Sequence, residues 1–470
     1  MKLIKKPYIY RTAIVIIMAF TLQSCFVAKD YKRPELEQTE NLFRTDNLAT
    51  DSMSMADISW TELFSDSDLQ KYINEGLQNN LDIRTAIQQM TVAEAYMKQG
   101  KAGYLPSLSA NASVTHQELS KNSQFGSFFN GSIDQFEATG NLSWEADIWG
   151  KIRSNKRAGE ASYLQSVAAH KAVKTQLVSN IASTYYQLLA LDAQLMVTQE
   201  TVVARDSSVT TIQALKEAGQ ETQVAVDQNI AQYNNAKALL IDIQVEIFRT
   251  ENLLNLLLGR PAQPIERGDI DNQSLESYIK VGVPATLLSN RPDVIASEYS
   301  LIEAFEMTNV ARSNFYPSLT LTGSGGFQSL EFDKWFNANS LFTNLVGGVA
   351  QPIFNKRKFK TQHEVALAQQ EQALLNFKNT LLVAGNEVSN ALYAYNAETE
   401  KFEYRIKEVE ALRNAENNSE ELLANGYANY LDLLTARQSA LNAELNVIDN
   451  KLQQLLSVVN LYEALGGGWK

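Results

Sequence analysis

Two hydrophobic periodicities alternate along this chain, and each occurs twice. Leu177, Ile181, Thr184, Leu188, Leu191 and Leu195 are separated by alternating steps of four and three. Near the end, Leu434, Leu441, Ile448, Leu455 and Tyr462 recur every seven residues, with Leu445, Leu452 and Val459 in the second seam position and Gln438 as its polar member. This is coiled-coil spacing. From Lys151 to Glu217 there is no Pro and Gly occurs only at Gly159, so the segment could form one helix of roughly 100 Å. On heptads alone, a long soluble bundle is the favoured reading.

The second periodicity is two. Phe136, Ala138, Gly140, Leu142, Trp144, Ala146 and Ile148 alternate with Glu137, Thr139, Asn141, Ser143, Glu145 and Asp147. Leu108, Ala110, Ala112 and Val114 alternate with polar residues before them, and Leu319, Leu321, Gly323, Gly325 and Phe327 do so later. Leu341–Phe354 is mixed and Gly-rich, a fourth and weaker strand. Such alternation predicts strands with one wet face, of a length suited to a transmembrane barrel. Trp149, Phe315, Tyr316, Trp335 and Phe354 lie near strand ends; an interfacial belt would place them there, and so would core packing. Four strands cannot close a barrel, and open edges are not viable in lipid. Strands that enter a membrane here must be shared among several chains.

The plan is written twice. Tyr104-Leu105-Pro106-Ser107-Leu108 recurs as Phe315-Tyr316-Pro317-Ser318-Leu319, and Leu81-Asp82-Ile83 as Pro292-Asp293-Val294, both displaced by 211 residues (106 to 317, 82 to 293). Ala218-Gly219 recurs as Asn425-Gly426 and Leu258-Gly259 as Leu465-Gly466, both displaced by 207 (219 to 426, 259 to 466). Each copy is expected to hold a helix (62–103; 290–314) ending at the strand-entry proline, Pro106 or Pro317, since Pro cannot continue a helix. A hairpin follows, then two long helices joined at Gly219 or Gly426, Gly being usual just past a helix end. Pro261 and the Gly466-Gly467-Gly468 run close the copies. The expected fold class is mainly α with a small β part and an internal tandem duplication. The expected segments are an export signal (1–24), an N-terminal segment (25–61), a first copy (62–261), a linker (262–289) and a second copy (290–470).

The start of the chain adds an address. Lys2, Lys5 and Lys6 precede an apolar run from Thr12 to Leu22, then Gln23-Ser24-Cys25. That is the order of an export signal, and the run is too short to span a membrane. Cys25 is the only cysteine, and Leu22 at −3 with Ser24 at −1 resembles a lipobox. Cys25 is therefore the expected lipidation site and mature amino terminus; a buried free thiol is the alternative. Several acyl chains would hold it firmly to a membrane.

Charge and chemistry exclude other classes. The net charge of −12 falls to −16 without the first 24 residues, which carry four Lys/Arg and no acid. A nucleic-acid partner would need basic stripes. A lone cysteine permits no disulfide framework. His116, His170 and His363 lie too far apart in sequence to suggest a metal site. No nucleophile–base pair stands out, and Gly323-Ser324-Gly325-Gly326 lacks a phosphate-loop Lys, so no enzyme is expected. A surface-attached coiled-coil scaffold would share the anchor and heptads, but would not need the hairpins or the duplication.

Three stretches carry a family resemblance: Cys25-Phe26-Val27-Ala28-Lys29-Asp30-Tyr31-Lys32-Arg33-Pro34; Asn290-Arg291-Pro292-Asp293-Val294 continued by Ala311–Leu319; and Gly426-Tyr427-Ala428-Asn429-Tyr430-Leu431-Asp432-Leu433-Leu434. Together they resemble the TolC family of outer-membrane efflux channels, in its lipoprotein branch. The resemblance implies a homotrimer sharing a twelve-stranded barrel in the outer membrane, continued by the helices as a coiled-coil tunnel into the periplasm. It implies a passive duct with no cofactor beyond the lipid on Cys25. The partners implied are an adaptor protein and an inner-membrane transporter, of the resistance-nodulation-division type by the lipoprotein start; a type I secretion duct is the alternative. The turns at Gly219 and Gly426 would form a closed periplasmic tip. Relatives often carry an acid four positions after the residue matching Leu431, but here that position is Thr435; Asp432 lies three residues earlier, and Gln438 stands where relatives often have Arg. The expected constriction is therefore apolar, at Leu431 and its counterpart Val224, with hydrogen bonds from Asn429 or Asp432 and little sensitivity to salt. A place in the coiled-coil seam is the alternative for Leu431.

Overall fold

A computed structural model describes residues 27–35, 42–44, 54–124, 126–128, 131–273 and 287–469. The export signal and Cys25 lie outside the described residues. In the first copy, α1 (Trp60–Leu63), α2 (Ser67–Asn79) and α3 (Leu81–Ala102) lead to strands β1 (Ser107–Glu118) and β2 (Ser132–Ala146), then to α4 (Lys151–Glu217) and α5 (Gln223–Leu257). In the second, α6 (Leu287–Asn290) and α7 (Pro292–Ser313) lead to β3 (Ser318–Ser329) and β4 (Leu341–Ala350), then to α8 (Lys358–Ala424) and α9 (Tyr430–Ala464). The copies match in length: 22 residues in α3 and α7, 67 in α4 and α8, 35 in α5 and α9. No described helix is long and apolar enough to cross a membrane.

The helix expected over 62–103 is three helices. Short polar side chains interrupt it by capping. Asp66 accepts from the amides of Asp68 and Leu69 at 2.8 and 3.0 Å, and Asn80 from those of Asp82 and Ile83 at 2.8 and 3.2 Å. Each side chain satisfies amides that a helix start leaves without partners. The long helices end alike. Gly219, Gly259, Gly426 and Gly466 all have positive φ, and the residue after each donates five positions back: Gln220 to Leu215, Arg260 to Asn255, Tyr427 to Leu422 and Gly467 to Tyr462. This is the Schellman closure, in which a left-handed residue lets terminal carbonyls find donors.

The compact units cut across the copies. One holds the described residues up to Glu35 with Thr91–Gln165 and Ser297–Asn376. Its centre is an antiparallel sheet in the order β1-β2-β3-β4. β2 ends at Ala146, earlier than the alternation to Ile148 suggests. Asp147 leaves the sheet and accepts from the amides of Ile152 and Arg153 at 2.8 and 2.9 Å, capping α4. Its carboxylate therefore marks no strand face. β4 ends at Ala350, two residues before Pro352, which has no amide to continue a ladder.

The second unit holds the described residues of Leu36–Met90, Ser166–Ala296 and Phe377–Lys470. Its core follows the heptads: Leu177, Ile181, Leu188, Leu191, Leu434, Leu441, Leu452, Leu455, Val459 and Tyr462 are buried. Phe64 packs edge-on against Tyr462 and beside Tyr186, with centroids 6.2 and 6.5 Å apart.

Candidate functional site

The register sets the chemistry of the sheet, because residues directly paired across strands share a face. Leu108, Leu142, Gly323 and Leu345 stand abreast, as do Ala110, Gly140, Gly325 and Thr343, and Ala112, Ala138, Phe327 and Leu341. One face thus collects most of the apolar or small residues of the strands, with Thr343 as a polar member and Phe342 and Val346 of β4 on the other face. The other collects Ser109, Asn141, Ser324 and Asn344 in one row and Asn111, Thr139, Gly326 and Phe342 in another. The apolar face is bare: Leu108 is 75%, Leu345 71% and Val349 70% exposed. A patch of this kind marks contact with lipid or protein.

Pro106 and Pro317 directly precede β1 and β3. Aromatic rings gather where the strands meet the helices. Trp149 stacks on Tyr316 at 4.9 Å, and its Nε1 donates to the Pro317 carbonyl at 2.6 Å. Trp144 donates to the Tyr104 carbonyl at 3.0 Å. At the far end of the strands, Phe136 meets Phe332 and Trp335 at 5.4 and 5.6 Å. Rings at both ends of an apolar band, with the indole N–H groups of Trp144 and Trp149 satisfied at the helix end, have the arrangement of interfacial girdles.

Cys25 itself is not described, but the chain just beyond it is clamped. Lys29 and Asn309 exchange hydrogen bonds at 3.2 and 2.9 Å. Asp30 accepts from Arg157 at 2.8 Å, and Arg33 forks onto Glu298 at 2.6 and 2.5 Å.

At the inter-helix turns, Gly219 and Gly426 take φ of 75° and 77°. Ile212, Ala225, Val226, Tyr430 and Leu434 form a buried cluster there, with Leu215 and Leu423 packed against it. Leu431 and Val224 stay outside it, 56% and 64% exposed. Leu431 is therefore not a seam residue of its own chain, and both side chains are free to meet another surface. Thr435 spends its hydroxyl on the Leu431 carbonyl at 2.9 Å. Asn429 and Asp432 face each other in a capping box at the start of α9. One polar atom of each is used within this helix end: Asn429 Oδ1 accepts from the Asp432 amide at 3.1 Å and Asp432 Oδ2 from the Asn429 amide at 3.3 Å.

The tip also holds charges that sequence reasoning missed. Arg437 donates to Ser208 at 2.6 Å and lies 3.4 and 3.2 Å from Glu416 and Glu420. Arg413 bridges Glu416 at 2.8 Å and also pairs with Glu444. Arg205 is only 3% exposed and reaches Gln438 at 3.5 Å; burial holds its guanidinium below its ordinary pKa. Tyr430 donates to Asn229, tying α9 to α5. A cavity of about 700 Å³ opens here, lined by Ser208, Ile212, Leu215, Glu420, Tyr430 and Arg437 among others. One signal was available: Arg437 lies one residue before the position where relatives carry Arg. Among the described residues, no cluster of three His, Cys, Asp or Glu side chains could hold a metal ion.

The sequence model of the outer membrane efflux protein family matches residues 72–260 and again 283–467. Its two starts and two ends are displaced by 211 and 207 residues, the displacements found within the chain. The chain is 26% identical over 453 residues to a probable outer membrane lipoprotein, SilC, of Salmonella typhimurium, covering 96% of this chain and 97% of that one. It is 28% identical over 461 residues to a probable efflux pump outer membrane protein, TtgC, of Pseudomonas putida, covering 96% and 94%. The structure is similar to the open state of the MtrE outer membrane channel of Neisseria gonorrhoeae, with a TM-score of 0.83 and 26% identity, covering 94% and 98%.

Proposed function

The chain belongs to the outer membrane efflux protein family, and from that membership we propose that it works as a homotrimeric, lipid-anchored exit duct. It is the outer-membrane channel component of an efflux system, and it works with partners that supply the energy. The observation that carries the trimer is the sheet. One face gathers apolar and small residues across the middle of the sheet, and among the described residues β1 and β4 each pair with one strand only. Lipid tolerates no open edge, so β4 of one protomer pairs with β1 of the next until three sheets close a twelve-stranded barrel. The polar face then lines a wet lumen. The helices continue the duct into the periplasm, where the turns at Gly219 and Gly426 meet an adaptor protein that joins the duct to an inner-membrane transporter. Nothing in the duct transforms its cargo.

Cys25 carries the lipid that anchors the mature amino terminus, and the clamp over residues 29–33 transmits that tether to α4 and α7. Relationship to a probable lipoprotein supports this reading. Cargo follows from the transporter that feeds the duct.

Two measurements test the proposal. Detergent-extracted protein should have the mass of three chains and give discrete conductance steps in planar bilayers; a stable monomer with full strand content would overturn the shared barrel. Cys25→Ala should abolish labelling by a palmitate analogue while the channel still assembles, and equal labelling of both proteins would remove the anchor.

A further inference from the structure

The junction between β4 and α8 departs from its counterpart between β2 and α4. α4 begins at Lys151 and α8 at Lys358, so Gly150 and Arg357 occupy the same place. Both are left-handed, with φ of 77° and 67°, and Lys356 beside Arg357 has φ of 54°. Glycine takes this conformation freely. A residue with a Cβ crowds its own carbonyl there, and such strain persists where something else requires it. Lys356 and Arg357 are the only non-glycine residues with positive φ among the described residues.

Charge is the second departure. Lys356, Arg357, Lys358 and Lys360 put four cations into five positions of a chain whose net charge is −12, and no acid occurs between Asp333 and Glu364. The first turn of α8 has no acidic residue, although a helix start favours anions and disfavours cations. In the first copy, Lys151 is paired with Glu145 at 3.0 Å. In the second, only Arg357 finds a carboxylate, forking onto Glu364 at 3.1 and 2.9 Å. Lys356, Lys358 and Lys360 are exposed and make no ion pair among the described residues.

The third departure is apolar. Ile353 and Phe354, 93% and 87% exposed, are the most exposed large hydrophobic side chains described. They follow β4, whose last position on the apolar face is Val349. Along the chain the order is apolar strand, two bare apolar side chains, then unpaired lysines. That is the order in which a chain leaving a bilayer meets acyl chains, the interface and phosphates.

We propose that residues 353–360 form an interfacial anchor that selects anionic phospholipid in the periplasmic leaflet of the outer membrane. Ile353 and Phe354 seat in the acyl boundary, and Lys356, Lys358 and Lys360 hold headgroup phosphates. The left-handed backbone at Lys356 and Arg357 turns the chain so that one short segment presents both. A cation patch serving the lumen would not need two bare apolar residues beside it. The inference rests on the sheet being membrane-inserted, as proposed above.

The test uses full-length protein reconstituted in phosphatidylcholine vesicles with trace spin-labelled phosphatidylglycerol or spin-labelled phosphatidylcholine. Bilayer conductance of the same preparation first establishes insertion; if it is absent in the wild type, the channel reading fails rather than this one. The motionally restricted fraction should show about threefold preference for phosphatidylglycerol, erased by high salt, as attraction of a few basic side chains to an anionic headgroup requires. The variant K356Q/K358Q/K360Q should lose more than half of that excess. The variant K356R/K358R/K360R should keep it, which guards against a glutamine variant that fails to insert. Equal association of both lipids with the wild type overturns the proposal, and so does an excess that survives salt or persists above half in the glutamine variant.

Discussion

Arg291 and Asn80 stand 211 residues apart at the same place in the two copies, and each donates to the last carbonyl of the helix that closes its own copy. Asn80 Nδ2 reaches the Leu257 carbonyl at 2.9 Å, and Arg291 Nη1 the Ala464 carbonyl at 3.0 Å. The copies solve the adjoining helix start differently. Asn80 also caps α3, which Arg291 cannot do for α7. There Pro292 occupies the first helical position, where its missing amide costs nothing. Arg291 forks onto Asp293 and bonds Glu387 at 2.5 Å instead.

Removing these two side chains should therefore have unequal effects. Asn80→Ala loses a cap and a carbonyl donor, about 1–2 kcal/mol. Arg291→Ala strands a buried carbonyl and two carboxylates, about 2–3 kcal/mol after discounting for carboxylates that remain partly exposed. Arg291→Lys should recover little, because an ammonium cannot fork. Denaturant unfolding of detergent-solubilised protein, followed by helical signal, measures the order. Equal losses at the two positions would contradict this account.

The four helix-ending glycines should separate into two pairs on substitution by Ala. At Gly259 a Cβ would lie 2.6 Å from the Asn79 carbonyl oxygen, and at Gly466 it would lie 2.6 Å from Asn290 backbone atoms. At Gly219 and Gly426 it would meet nothing within 4 Å. The tip substitutions should cost only the left-handed conformation, about 1–2 kcal/mol. Those at Gly259 and Gly466 must also move backbone and should cost more. Thermal melting of the four single variants decides it.

Glu463 gives a pH-dependent test. Burial raises its pKa above the ordinary value of 4.5. A carboxyl whose folded pKa is raised binds its proton more tightly when folded. It costs stability above the folded pKa, and that cost fades as pH falls toward the unfolded value. Glu463→Gln should therefore raise the melting temperature at neutral pH, and the gain should shrink at pH 4 and below. A gain independent of pH would point to packing instead.

The long helices, their glycine turns and the strands were legible because each rests on a local period. The break at Asn80 was not, since a mid-helix Asn and a capping Asn look alike until Leu257 is placed beside it, 177 residues away. Asp147 continued a polar alternation in sequence but was drawn off the strand by two free amides of α4. At the tip, the exposure of Leu431 could not be read from a heptad that its neighbours also satisfy. The Arg437 network needed acids from α8, whose rotational setting no pattern along one helix specifies.

The sheet faces can be separated by charge. Ala138→Arg, Gly140→Arg or Leu142→Arg places a cation on the apolar face and should destabilise by about 2–4 kcal/mol near the bilayer midplane. Asn141→Arg or Ser143→Arg, one residue away on the polar face, should insert normally and shift ion selectivity toward anions. Heat-modifiable mobility of the assembled species and reversal potentials in bilayers report the two effects. Tolerance on the apolar face with failure on the polar face would invert the barrel.

The closed tip should depend on two kinds of contact that respond differently to salt. Leu431 and Val224 project from the tip outside their own chain's buried cluster, so in the proposed trimer neighbouring protomers would bury them. Leu431→Ser should raise the single-channel open probability and leave the salt response unchanged, since apolar contact is not screened. Arg437 binds α9 to Ser208 on α4 and to Glu416 and Glu420 on α8. Arg437→Gln should also raise open probability, by loosening α9 from both neighbours. The wild-type channel should then open more readily as ionic strength rises, but only modestly, because Arg437 and Glu416 are mostly sheltered from solvent and such pairs are screened less than exposed ones. Asp432→Asn weakens one capping box, worth about 1 kcal/mol at a helix end, and should alter gating least. Were Asp432→Asn to open the channel while Leu431→Ser left it shut, the apolar constriction would be wrong. The acid would then do more than cap its own helix.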